Sequence, residues 1–269
     1  MVKFRKNIVD YIIRKPNKDN LDYISEKFPN IISMDVNSYP IRLYNALQRL
    51  MTLFSSNLPP CLQKNNLPLK KEYEKETKRA CDIVYNAYKL SLSGQRGKAF
   101  QILFSFYFES GLITHLFEDI SKETKLYRMR ASDSYHLYSD SEMFHIPFEK
   151  CHLSENYRFS ISGLPMLYFG SSLYVCWIET NQPDLEKANV ALYQASSNVR
   201  CINLMLPKPC DDITRESLLL LPLKLACRMP VKYPDAPFKP EYVIPQLITE
   251  CISKYVSEHN AHVGAYSVS

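Results

Sequence analysis

A few polar side chains stand where a globular chain has least use for them. Arg128 lies beside Leu126, Tyr127 and Met129, in a run that reads as a strand. Glu179 closes the apolar run Leu173-Tyr174-Val175-Cys176-Trp177-Ile178. Ser267 and Ser269 fall in the strand-like end of the chain, Val263-Gly264-Ala265-Tyr266-Ser267-Val268-Ser269. A guanidinium is a planar fork that grips anions through paired, charge-assisted hydrogen bonds. A carboxylate is costly to bury without a partner. A serine hydroxyl both donates and accepts. Each also has a plain alternative: an interface ion pair for Arg128, a helix-end residue reaching solvent for Glu179.

Tyr168 precedes Glu179 by eleven residues, across the turn Gly170-Ser171-Ser172. Such a strand–turn–helix passage brings a strand end and a helix together over a crevice. Arg158, in Asn156-Tyr157-Arg158-Phe159-Ser160, reads as a second cation within a strand. The plain readings are a core aromatic for Tyr168 and a structural ion pair for Arg158.

Other chemistries are excluded or disfavoured. The six glycines stand alone and yield neither G-x-G-x-x-G nor G-x-x-x-x-G-K-[ST], so a glycine-rich phosphate cradle is ruled out. Eight cysteines form no C-x-x-C, and six histidines form no H-x₃-H or H-E-x-x-H, so no metal site is expected. No run of 18 apolar residues occurs, and we expect a cytoplasmic protein with reduced thiols and no membrane partner.

The elements that would position these residues fall into two parts. Apolar spacing predicts helices over 41–54, 71–92 and 98–120, so the first 120 or so residues read as all-helical. From Lys125 on, strands are expected at 126–130, 157–161, 166–169, 190–194 and 200–206, and a final one from Val263. Helices are expected at 172–180, 212–227 and 241–257. The fold class is therefore α+β: a helical region over 1–122 and a mixed α/β domain over 123–269. With 269 residues, 46% hydrophobic and 23% charged, the chain can bury a sizeable core. Residues 1–125 carry 20 Lys/Arg against 13 Asp/Glu, whereas the remainder carries 13 against 15. The Lys70–Arg79 stretch alternates with Glu72, Glu74 and Glu76, so we read a solvated helical face before nucleic acid.

Three segments, in order, resemble the RES-domain family: 126–130, 158–179 and 242–248. The central one reads Leu-Pro-x-Leu-Tyr-x-Gly-x-Ser-x-Tyr-x-x-Trp-x-Glu, from Leu164 to Glu179. The similarity is greatest to longer bacterial members with a helical, HEPN-like N-terminal region, and Phe144-His145-Ile146-Pro147-Phe148 fits that subgroup. The resemblance implies a fold like that of ADP-ribosyltransferases and an enzyme that destroys NAD⁺ by glycohydrolysis or phosphorolysis. It implies a toxin with an antitoxin protein as partner, phosphate as a co-substrate, no resident cofactor, and a homo-oligomer.

Carried over residue by residue, the family's Arg falls on Arg128 and its Glu on Glu179, while its Ser is Ser269 or Ser267. Tyr168, Arg158, Tyr127 and Gly264 fall in the substrate-binding set. In these terms Arg128 would hold the pyrophosphate, Tyr168 would stack on nicotinamide, and Glu179 would stabilise the oxocarbenium-like ribose. Departures are Val263 in place of an Asp, the absence of glycine around Tyr157-Arg158, and an end at the family serine, from which a truncated copy is expected. The alternatives are a HEPN-type ribonuclease using Arg130 and His136, in an R-x₅-H spacing, and a non-catalytic nucleotide-binding protein.

Overall fold

The computed structural model describes residues 39–56, 67–206, 214–259 and 263–266. Helix α1 (Tyr39–Ser56) turns Leu43, Ala46, Leu47 and Leu50 inward, at the spacing of one helix face. Helix α2 (Leu67–Leu92) buries Ala80, Cys81, Val84, Ala87 and Tyr88 in the same way. It stops where Gly94 adopts φ +78°, with Gln95 N–H donating to Leu90 O and Gly94 N–H to Ser91 O. That is the Schellman arrangement, which favours glycine because the left-handed conformation strains a Cβ.

Helix α3 (Arg96–Leu103) runs into a π-helical turn, Phe104–Glu109, and then a 3₁₀ turn, Leu112–Leu116. Phe100, Phe104 and Phe108 form a stacked column, with successive ring centroids 5.5 and 5.4 Å apart. The helix expected to reach residue 120 ends earlier. Gly111 takes φ +76°, and Phe117–Ile120 forms strand β1. In this short strand Phe117 and Ile120 are half-buried and the two acids between them are exposed, Glu118 accepting from Asn203 and Asp119 from Arg200.

Strand β2 (Leu126–Ala131) pairs antiparallel with β3 (Ala188–Tyr193), Arg128 opposite Ala191. Strand β4 (Val199–Asn203) lies between β1, antiparallel, and β5 (Val263–Tyr266), parallel. Helix α4 (Leu173–Glu179) packs on β2. Helices α5 (Arg215–Arg228) and α6 (Val243–His259) pack with α1, α2 and α3 in one continuous apolar cluster running from Tyr39 to Ile252. The architecture is α+β, as expected.

Two strands expected from sequence are not formed. At 157–161, Ser160 N–H donates to Tyr157 O and the Ser160 hydroxyl accepts from Tyr157 N–H, closing a local turn. Ser160 is buried, so its short polar side chain outcompetes a ladder for these backbone groups. At 166–169 the chain is extended but unpaired, following a turn in which Leu164 N–H donates to Ile161 O and Gly163 takes φ +79°. Only Gly170 reaches a partner, exchanging two hydrogen bonds with Tyr127 at 2.7 and 2.9 Å.

Candidate functional site

Gly170 is the anchor of the segment that carries Tyr168. A Cβ added there would lie 2.5 Å from Cys176 Sγ, 3.1 Å from Ser172 O and 3.2 Å from Cys176 N. Only glycine lets the turn press against the first turn of α4. Ser172 caps α4 by accepting from Val175 N–H at 3.2 Å. Cys176 Sγ donates to Tyr127 O at 3.2 Å, so strand, turn and helix are pinned together at one point. Tyr127 contributes to this junction through its main chain.

Arg128 projects from β2 half-buried, and its Nε is fully buried with no hydrogen-bond partner. Among the described residues it makes no ion pair; its charged and phenolic neighbours are Arg130, Tyr157 and Tyr193. Burial lowers its pKa, the phenols work the other way, and Arg130, two residues along the same strand, adds repulsion. An unpaired, half-desolvated guanidinium can take an anion through charge-assisted hydrogen bonds.

Tyr168 packs its ring 5.1 Å from that of Tyr157, while 36% of its surface stays accessible. Its phenol is pushed up, first by burial and then by Tyr157 and Tyr242. Tyr242 closes the 3₁₀ turn Pro240–Tyr242 at the head of α6. The Arg158 guanidinium carbon lies 5.2 Å from the Tyr242 ring centre, and Lys239 Nζ lies 5.6 Å away. Burial raises the Tyr242 phenol, Arg158 opposes that rise, and the charge of Glu179 adds to it.

Glu179, the last residue of α4, is exposed and makes no hydrogen bond or ion pair among the described residues. Arg158 is differently employed. Its Nη1 donates to Cys227 O at 3.2 Å and Met229 O at 2.9 Å, satisfying carbonyls at the end of α5. It is a turn residue, not the strand cation expected, and its fork is already partly spent on the helix end.

Tyr168 packs on Tyr157 and Arg158 on Tyr242, two phenols not expected at the site from sequence, while Arg128 and Glu179 lie on β2 and on α4, which packs against it. Tyr157 directly precedes Arg158, and Tyr242 opens the third matched segment. Gly264 lies in β5, paired with Cys201 of β4 in the other sheet. Ser267 and Ser269 lie outside the described residues. Arg130 and His136 meet around Tyr138 and Glu142: the Arg130 guanidinium carbon lies 4.3 Å from the Tyr138 ring centre and the His136 ring 4.5 Å from it, while Arg130 Nη1 donates to Glu142 O at 2.7 Å and His136 Nε2 lies 3.7 Å from Glu142 Oε1. The residues between them form no helix.

No family model matches the chain, and no solved structure matches it. A protein of Bacillus subtilis (strain 168) described as "Putative toxin YopC" is 31% identical over 160 residues, covering 53% of this chain and 36% of that protein. The chain thus spans about a third of the length of that relative. Among the described residues, no helix is long and apolar enough to cross a membrane.

Proposed function

We propose that this chain is an NAD⁺-degrading toxin-like enzyme that cleaves the nicotinamide–ribose bond. The observation that carries the reading is an exposed carboxylate at Glu179, without a partner among the described residues, and an unpaired, half-buried guanidinium at Arg128, on a helix and a strand that pack together at the Gly170 turn. The toxin description of the Bacillus relative supports it.

In this reading Arg128 grips the pyrophosphate, supplying the charge that an absent glycine cradle cannot. The binding energy of that remote group fixes the ribose in place. Tyr168, backed by Tyr157, presents a ring face to nicotinamide. As the C–N bond stretches, positive charge grows at the anomeric carbon, and the Glu179 carboxylate stabilises it. Nicotinamide leaves as a neutral molecule from a cationic precursor, so no strong general acid is required. Water or phosphate then attacks the same carbon.

Incubation with NAD⁺ and, separately, with total RNA tests the proposal. We expect nicotinamide release with RNA left intact, and a product that changes from ADP-ribose to its phosphorylated form if phosphate is the acceptor. RNA cleavage with NAD⁺ intact would favour a ribonuclease. Neither reaction would mean that the fold only binds.

A further inference from the structure

One buried ion pair ties the helical region to the segment that ends in Tyr242. Arg42 of α1 and Glu241 are almost wholly buried, with side chains 1% and 2% exposed, and Arg42 Nη1 lies 2.9 Å from Glu241 Oε1. Arg42 Nη2 also donates to Pro230 O at 2.6 Å, and Lys232 N–H donates to Glu241 Oε1 at 3.2 Å. A single guanidinium from α1 therefore fixes both ends of the 230–241 segment, 188 to 199 residues away in the chain.

Glu241 is the residue before Tyr242, in the same 3₁₀ turn, where Tyr242 N–H donates to Lys239 O at 2.9 Å. Backbone so short and so constrained cannot shift at 241 without moving the ring at 242. That ring lies 5.2 Å from the Arg158 guanidinium carbon, and Gln246 of α6 donates to Tyr157 O at 3.2 Å, beside the ring on which Tyr168 packs. Replacing a buried ion pair with apolar residues is often neutral, so stability alone is a weak explanation for placing charge here.

We propose that Arg42 is a positioning residue that acts through Glu241 to set Tyr242 against Arg158, making the N-terminal helices part of the substrate site. This rests on the NAD⁺ reading for the role of Tyr242, but not for the coupling itself.

The test uses the whole chain and has two arms. In the first, NAD⁺ turnover is measured for Arg42→Lys, Tyr242→Ala and the double variant. Lysine keeps the charge but cannot reach Glu241 and Pro230 together. We expect Arg42→Lys to raise KM about 10-fold with a smaller change in kcat, and to have no further effect once Tyr242 is alanine. Effects that multiply in the double variant would overturn the proposal. In the second arm, 3-fluorotyrosine at position 242 is followed by fluorine NMR without substrate. Its resonance should shift or broaden in Arg42→Lys while the melting curve stays cooperative. An unmoved resonance would overturn the coupling even if no NAD⁺ is consumed. If Arg42→Lys does not fold, the double variant Arg42→Met/Glu241→Leu removes both charges without leaving one buried. It should fold and show the same displaced resonance.

Discussion

At the scale of the residue, the site is defined by what its charged groups lack. Arg128 has a buried Nε without a partner, and Glu179 has no partner among the described residues. By contrast, Arg96 forks onto Glu250, and Arg215 onto Glu76, each using two nitrogens on a carboxylate. Under the NAD⁺ proposal, these two groups meet the phosphates and the cationic end of one substrate. Arg128→Lys should therefore raise KM for NAD⁺ at least about 10-fold, because an ammonium cannot reproduce two parallel bonds. Steady-state kinetics check this, and unchanged kinetics would remove the pyrophosphate role. Arg128 and Glu179 stand out in sequence because each interrupts or ends an apolar run, and Tyr168 by its place eleven residues before Glu179 across the Gly170 turn. Tyr157 and Tyr242 were not, because one tyrosine among 19 gives no local signal of what its ring will face.

At the scale of the element, the junction of β2, the Gly170 turn and α4 does the positioning. The helices were legible wherever apolar spacing persisted, as in α1, α2 and α6, which begin and end within a few residues of expectation. Strand expectations at 157–161 and 166–169 failed for a different reason. Aromatic and β-branched composition marks a chain suited to a sheet, but pairing needs a free neighbouring edge and free backbone groups. Ser160 had claimed those groups at one site, and only Gly170 met β2 at the other. Likewise β1 emerged from a segment that read as helix, since the 3.6-residue period gives no warning of where a positive-φ glycine will end it. Gly170→Ala should destabilise the fold by about 1–3 kcal/mol, because the new methyl meets backbone at 3.1–3.2 Å as well as Cys176 Sγ. Chemical denaturation measures this. Adding Cys176→Ala should recover only part of the loss, since the backbone contacts remain.

At the scale of the whole molecule, a single apolar cluster joins the N-terminal helices to α5 and α6 and supports the loop that ends in Tyr242. That union was not legible in the composition, which changes in charge and pattern near residue 125. The buried faces of both parts are apolar alike, and sequence does not say that they meet. The same core shields thiols. Burial pushes Cys81, Cys227 and Cys251 up to about 12 from an ordinary value near 9. These groups stay protonated in the folded chain while the unfolded chain loses their protons, so their contribution is intact below pH 9 and is lost as pH rises toward 12. We therefore expect the melting temperature to fall steadily over that window, and substitution of Cys227 by alanine to flatten the fall. A melting temperature that is level from pH 9 to 11 would contradict this.

The central claim is that Glu179 and Arg128 act on one NAD⁺ molecule. The most direct measurement is the rate of nicotinamide release by the intact chain and by Glu179→Ala, with NAD⁺ binding to both followed by calorimetry. The account predicts that the variant binds NAD⁺ within a few-fold of the parent but releases nicotinamide at least about 100-fold more slowly. Equal release rates, or binding abolished together with turnover, would contradict it.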